Sequence, residues 1–284
     1  GPVSMEIYTA ERDFEEGMQY YNQGNFFAAL NKFDLSMRDI GMRNTEACSL
    51  SCLILIYNYR EHSAALRYIE RGLDYAESPE LIATFLYWKG LVLSEMGQAE
   101  VALASYQESA RIMQQPDSTL IQIGTLYAYD LRLYDKGLEY FDKIEDAASY
   151  VAEIEFGRGY CHYHQGLYLD AITDFQKAVK TRPSNGAAYL MMGMAKFKVD
   201  QDEGGCADLR TALSLGFGPL TGRFKKNAKP VKASHFIIFT DCRSSALAIG
   251  SILLAKATGI ATLSDDLIGF KVAQLSGFTQ VKTA

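Results

Sequence analysis

The chain has 284 residues, 48% hydrophobic and 22% charged, with a formal net charge of −6 at pH 7. That length and balance supply a large buried core and point to a soluble helical protein. A membrane-spanning segment is excluded, because the longest apolar run, Ser244 to Ala255, sits between Arg243 and Lys256 and is too short to cross a bilayer.

In chain order, Gly1 and Pro2 read as the remnant of a cleaved tag. Residues 1–4 then precede a native sequence starting at Met5, with any targeting segment trimmed. From residue 10 onward a frame recurs, with a Gly, a small residue twelve positions on and an aromatic or large apolar residue four further. Gly17, Ala29 and Phe33 form the first set, and Ala65 and Ile69 fit the second half of the next. Gly90, Ala102 and Tyr106 follow, then Gly137 with Phe141, then Gly159, Ala171 and Phe175, and finally Gly193, Gly205 and Leu209. The small residues at 29, 65, 102, 137, 171 and 205 are 36, 37, 35, 34 and 34 apart, the period of a stacked helical hairpin. Pro79, Pro116 and Pro183 each fall just after an expected second helix, where proline ends one helix and can open the next.

After Gly216 the pattern changes. Residues 217–232 carry Arg223, Lys225, Lys226, Lys229 and Lys232 among Gly and Pro, without an acid, and read as an irregular basic connector. Residues 233–284 read as an apolar helical extension. In it, His235 to Phe239 is a short apolar run, a strand or a buried helical turn, and Ser244 to Thr258 and Ser264 to Ser276 are two helices. Nine Lys or Arg against three Asp give residues 217–284 a charge of +6, which leaves −12 on the first 216. Opposite signs and exposed Ile, Leu and Phe predict that residues 233–284 dock on the rest of the chain, either capping its end beyond Leu209 and Leu213 or folding back over the earlier helices.

The frame has a physical cause. A Gly or Ala where two antiparallel helices approach removes the side chain that would hold them apart, and the large residue one turn on fills the gap. One hairpin buries only one of its sides, so at least three must stack before a continuous core exists. The frame resembles the tetratricopeptide repeat, with about six copies over residues 10–216. Its best copy is Ile154 to Pro183, with Gly159, Gly166, Tyr168, Ala171, Phe175, Ala178 and the closing Pro183. The lone Trp88 is two positions out of register, and the second and fourth copies lack the first Gly. The resemblance implies an all-α fold, a right-handed α-solenoid of stacked helix-turn-helix repeats spanning residues 5–216, followed by the C-terminal helical extension.

The resemblance also implies a partner-binding concave groove lined by the first helix of each repeat. Carrying over the family's inward positions gives an apolar strip in which Tyr21, Tyr57, Tyr87, Trp88, Tyr129, Phe156, Tyr160, Tyr163, Met194 and Phe197 are the expected partner-binding residues. Phe14, Met18, Leu50, Ile54, Leu91, Gln122, Leu126, His164, Leu190 and Met191 lie beside them. Tyr combines a large apolar area with a hydroxyl at low entropic cost, so the strip suits an extended or helical apolar segment of another protein. The branch of the family that grips a free C-terminal carboxylate uses Lys, Arg and Asn. Here Phe14, Met18, Ser51, Thr84 and Trp88 stand at those positions, so that clamp is not expected.

The expected function is a non-catalytic interaction scaffold or adaptor, without cofactor or metal. A secretion or assembly chaperone holding a hydrophobic client is the first alternative. An enzyme with a thiol site in the extension, built on His235, Asp241 and Cys242, is the second. Cys161, His162 and His164 are close in sequence, but Cys161 and His162 point to different faces of one helix. The basic connector lacks the interleaved aromatics of nucleic-acid binders, so no nucleic acid is expected. The five cysteines show no paired framework, which favours a reducing, cytoplasmic compartment.

Overall fold

A computed structural model of the chain describes residues 2–38, 44–145 and 147–215, which form helices joined by short turns, with no strand among them. The expected connector 217–232 and extension 233–284 lie outside these residues, as do His235, Asp241 and Cys242. The chain divides into two compact units, one ending at Leu126 and the other starting at Tyr127, within the fourth copy of the frame.

The first unit pairs α1 (Pro2–Asn22) with α2 (Phe26–Ser36), α3 (Thr45–Leu53) with α4 (His62–Tyr75) and α5 (Pro79–Glu95) with α6 (Ala99–Ile112), then adds α7 (Asp117–Thr125). In the second unit α8 (Tyr134–Asp142) packs on α9 (Val151–His164), α9 pairs with α10 (Tyr168–Thr181), and α11 (Gly186–Lys198) pairs with α12 (Asp202–Ser214). Each unit is thus a stack of helical hairpins. The helix starts follow the local sequence. Asn25, Asn44, Ser78 and Asn185 cap α2, α3, α5 and α11 by accepting a hydrogen bond from the backbone N–H three residues on, and Pro79 opens α5.

All six small residues of the frame are buried, and so are all six large residues. The contact between them is closer than the frame requires. A Cβ on Gly17 of α1 would stand 2.7 Å from two ring carbons of Phe33 on α2, and one on Gly159 would stand 2.8 Å from the Phe175 ring. The glycine of the first helix is therefore the seat of the large residue on the second. Burying such a Phe stabilises by about 1.5–3 kcal/mol.

The hairpin turns carry a second period. A left-handed residue stands at Gly24, Arg60, Gly97, Arg132, Gly166 and Asp200, five positions before the small residue of each copy. Three of the six are glycine, the residue that adopts this conformation without steric cost. In the first, third, fifth and sixth copies the next N–H closes the helix by donating to a carbonyl five back, as Asn25 does to Tyr20 and Gln98 to Leu93.

The second and fourth copies differ, and they are the two without the first Gly. Their first helices widen into π-helical turns at Ile54–Tyr59 and Leu126–Asp130. The closing bond then spans six residues, from Glu61 to Leu55 and from Leu133 to Tyr127. A π turn inserts one residue, so the face of the helix ahead of it shifts by one position. Leu53 and Thr125 stand where the frame expects Gly, and the small buried residues are Cys52 and Gly124, one earlier.

Candidate functional site

The expected partner-binding residues divide by burial. In the first unit Tyr21, Tyr87 and Trp88 are half-buried, and Tyr57, on the π turn, is 58% exposed. Tyr21 meets Phe26 across its own hairpin turn with ring centroids 5.7 Å apart. Tyr87 leans edge-on toward Tyr106 and Trp88 toward Phe85, each pair at 5.5 Å.

In the second unit Tyr129, Phe156 and Tyr160 are half-buried and come together. Tyr129 lies 4.4 Å from Tyr160 in an edge-to-face contact at 87°, and 6.4 Å from Phe156. The α9 helix places Phe156 and Tyr160 one turn apart on one face, and the π turn holds Tyr129 against them. His164, a further turn along, stacks on Tyr134 of α8 at 5.2 Å with the rings 7° from parallel.

Tyr163, Met194 and Phe197 are buried in the core, which corrects their expected exposure. The reason is local. A Cβ on Gly205 of α12 would stand 2.8 Å from the Phe197 ring, so the missing side chain makes a seat that Phe197 fills. Tyr163 packs edge-on against Tyr168 at the start of α10, 5.5 Å away. Ile54 and Leu126 are also fully buried, each opening a π turn that turns it inward.

No charge belongs to the aromatic group itself. Burial first, then the neighbouring Tyr134, pushes the Tyr160 hydroxyl up to about 12, so it stays protonated. Burial, and secondarily Arg132, holds His164 below the ordinary imidazole value, so the ring is neutral at pH 7. Its Nε2 is buried without a hydrogen-bond partner among the described residues. The sequence reading missed Tyr134, which follows the left-handed Arg132 by two positions; the recurring turn residue was the available signal.

His162 Nδ1 lies 2.6 Å from Asp174 Oδ2, joining α9 to α10. Burial pushes the Cys161 thiol up to about 12 and the Cys48 thiol to about 11, and raises Cys52 further. Cys48, Cys52 and Cys161 are free and buried. Among the described residues no group of three His, Cys, Asp or Glu could hold a metal ion, and no helix is long and apolar enough to cross a membrane.

Residues 126–187 match the tetratricopeptide repeat family. No curated protein matches the chain in sequence. Among solved structures, a tetratricopeptide repeat protein from Parabacteroides merdae ATCC 43184 is similar at 16% identity, over 94% of this chain and 98% of that one, with a TM-score of 0.66. MamA from Desulfovibrio magneticus RS-1 is similar at 16% identity, over 64% of this chain and 100% of that one, at 0.54. YrrB, described as a TPR protein with an unusual peptide-binding site, is similar at 18% identity, over 66% and 92%, at 0.50. At these identities the likeness is one of fold. The family match over residues 126–187 and the shared fold of the solved repeat proteins support a tetratricopeptide repeat reading of the hairpin stacks.

Proposed function

We propose that the chain is a non-catalytic interaction scaffold that binds an apolar peptide or helical segment of another protein on the first helices of its repeats. The observation that carries this reading is the uncharged aromatic group of Tyr129, Phe156 and Tyr160, half-buried and drawn from two successive first helices. Large aromatics flanked by packed neighbours are the side chains that anchor protein interfaces. The peptide-binding site named for YrrB supports a peptide as the ligand class. In the first unit Tyr21, Tyr57, Tyr87 and Trp88 are the corresponding contacts.

Selection of dodecapeptides from a random display library tests this. Enriched sequences are expected to be rich in aliphatic and aromatic residues and to lose binding to a Tyr129→Ala, Tyr160→Ala protein that keeps its helicity. Enrichment of charged sequences, or unchanged binding by the double variant, would overturn it.

An assembly chaperone for a hydrophobic client is the second reading, favoured by Leu133, Leu167 and Leu169, which are exposed in the second unit. It requires a client that is insoluble alone and soluble when co-expressed with this chain. The +6 charge and apolar content of residues 217–284 make 233–284 an intramolecular ligand in this proposal. A chain ended at Gly216 then binds the selected peptides more tightly, because a tethered competitor at roughly millimolar effective concentration is gone.

A further inference from the structure

The first unit carries a second feature, between its second helices α2 and α4. Leu30, Asn31 and Asp34 of α2 and Ala64, Arg67, Tyr68 and Arg71 of α4 line an open cleft of about 410 Å³ with Leu55 on its wall. This size falls within the range of small-ligand sites.

Its charges are unevenly used. Asp34 Oδ1 accepts a hydrogen bond from the Tyr68 hydroxyl at 3.2 Å and lies 3.8 Å from Arg71 Nη1. The Arg71 guanidinium also sits over the Tyr68 ring, 5.8 Å from its centroid. Burial, reinforced by Asp34, pushes the Tyr68 hydroxyl up to about 12, so it remains a donor. Arg67, one turn before Arg71 on the same face of α4, has no hydrogen bond or ion pair among the described residues and is exposed. The cleft therefore already holds one carboxylate, from Asp34, between a tyrosine and an arginine, and offers a second guanidinium without one. Two Arg charges less one Asp charge leave +1. A single carboxylate neutralises that, whereas a phosphate dianion would leave excess negative charge beside Asp34. Leu30, Leu55 and Ala64 supply apolar contact for the rest of the molecule.

We propose that this cleft binds a small monocarboxylic acid with an apolar body, its carboxylate on Arg67 and its hydrocarbon against Leu30, Leu55 and Ala64. The charged residues of this cleft, Asp34, Arg67 and Arg71, belong to the second helices α2 and α4, whereas the aromatic contacts proposed above belong to first helices.

Titration of the full chain with phenylacetate, followed by two-dimensional NMR, is the test. Phenylacetate is expected to shift the signals of Leu30, Leu55 and Tyr68, and phenylacetamide is expected to leave them in place. Arg67→Gln should weaken phenylacetate binding about tenfold, the loss of one charge-assisted bidentate contact. Asp34→Asn should strengthen it, because a repelling carboxylate is removed and Arg71 is released. Both positions are solvent-accessible, so both variants are expected to fold, and melting curves check this. Equal shifts with the amide, unchanged affinity in Arg67→Gln, or weaker binding in Asp34→Asn would each overturn the proposal. Tighter binding of a capped Leu-Glu-Leu peptide than of phenylacetate would also overturn it, by assigning the carboxylate to a partner protein.

Discussion

Phe33 lies so close over Gly17 that a Cβ there would stand 2.7 Å from two of its ring carbons. Phe33 is fully buried and has nowhere to move. Gly17→Ala gains helix propensity, up to about 1 kcal/mol, yet overpacking costs about 1–3 kcal/mol. The expected outcome is net destabilisation by about 1 kcal/mol or more in urea unfolding. A more stable Gly17→Ala protein would show that α1 and α2 do not meet on this residue.

Arg132 holds a left-handed backbone at φ 55°, in a turn whose counterparts include Gly24, Gly97 and Gly166. A non-glycine residue there costs roughly 1–2 kcal/mol, partly offset by the greater freedom of glycine in the unfolded chain. Arg132→Gly should therefore stabilise by up to about 1 kcal/mol. Removal of its charge should also let the His164 imidazole rise toward its ordinary value, readable by NMR titration.

His164 is held below its ordinary value of 6.5 in the folded chain, mainly by burial. The unfolded chain therefore takes up this proton first, and the stability contributed by the neutral ring is present above that ordinary value and lost as pH falls through it. His164→Phe, which keeps a ring to stack on Tyr134, should show a smaller fall in melting temperature between about pH 7.5 and about pH 5.5 than the parent. A larger fall would mean that the ring is charged in the folded state.

The Tyr129 and Tyr160 rings are expected to act as binding anchors worth roughly 2 kcal/mol or more. In isothermal titration with a selected peptide, Tyr160→Phe should bind nearly as well as the parent, because the ring is kept. Tyr160→Ala should lose about thirtyfold. Equal losses in both would assign the contribution to the hydroxyl.

The repeat was legible in the sequence because its cause is local and periodic. A helical hairpin whose helices approach through a small residue must carry that residue at a fixed distance from its turn, so the series 29, 65, 102, 137, 171 and 205 reads directly as stacking. The apparent defects of the second and fourth copies were legible only as missing glycines. What they mean depends on backbone hydrogen bonding, because a single inserted residue in each π turn moves the small position to Cys52 and Gly124 and carries Ile54 and Leu126 into the core.

The candidate site was legible only in part. Tyr129, Phe156, Tyr160, Tyr163, Met194 and Phe197 all sit at positions that the family resemblance expects to face inward, and nothing in their identity tells a half-exposed side chain from a buried one. That distinction is made by the opposing helix. Gly205 leaves room for Phe197 and the start of α10 covers Tyr163, whereas Tyr129 and Tyr160 meet each other and remain half-buried. The cleft of Arg67 and Arg71 was not legible, since it joins residues of α2 and α4 more than thirty positions apart whose own frame is occupied by packing. Sequence by itself determined the period, the helices and the small-to-large contact within each hairpin, all set by neighbours along the chain. Tertiary structure decided which aromatics stay open and which charges lack partners, because both depend on side chains brought in from another helix.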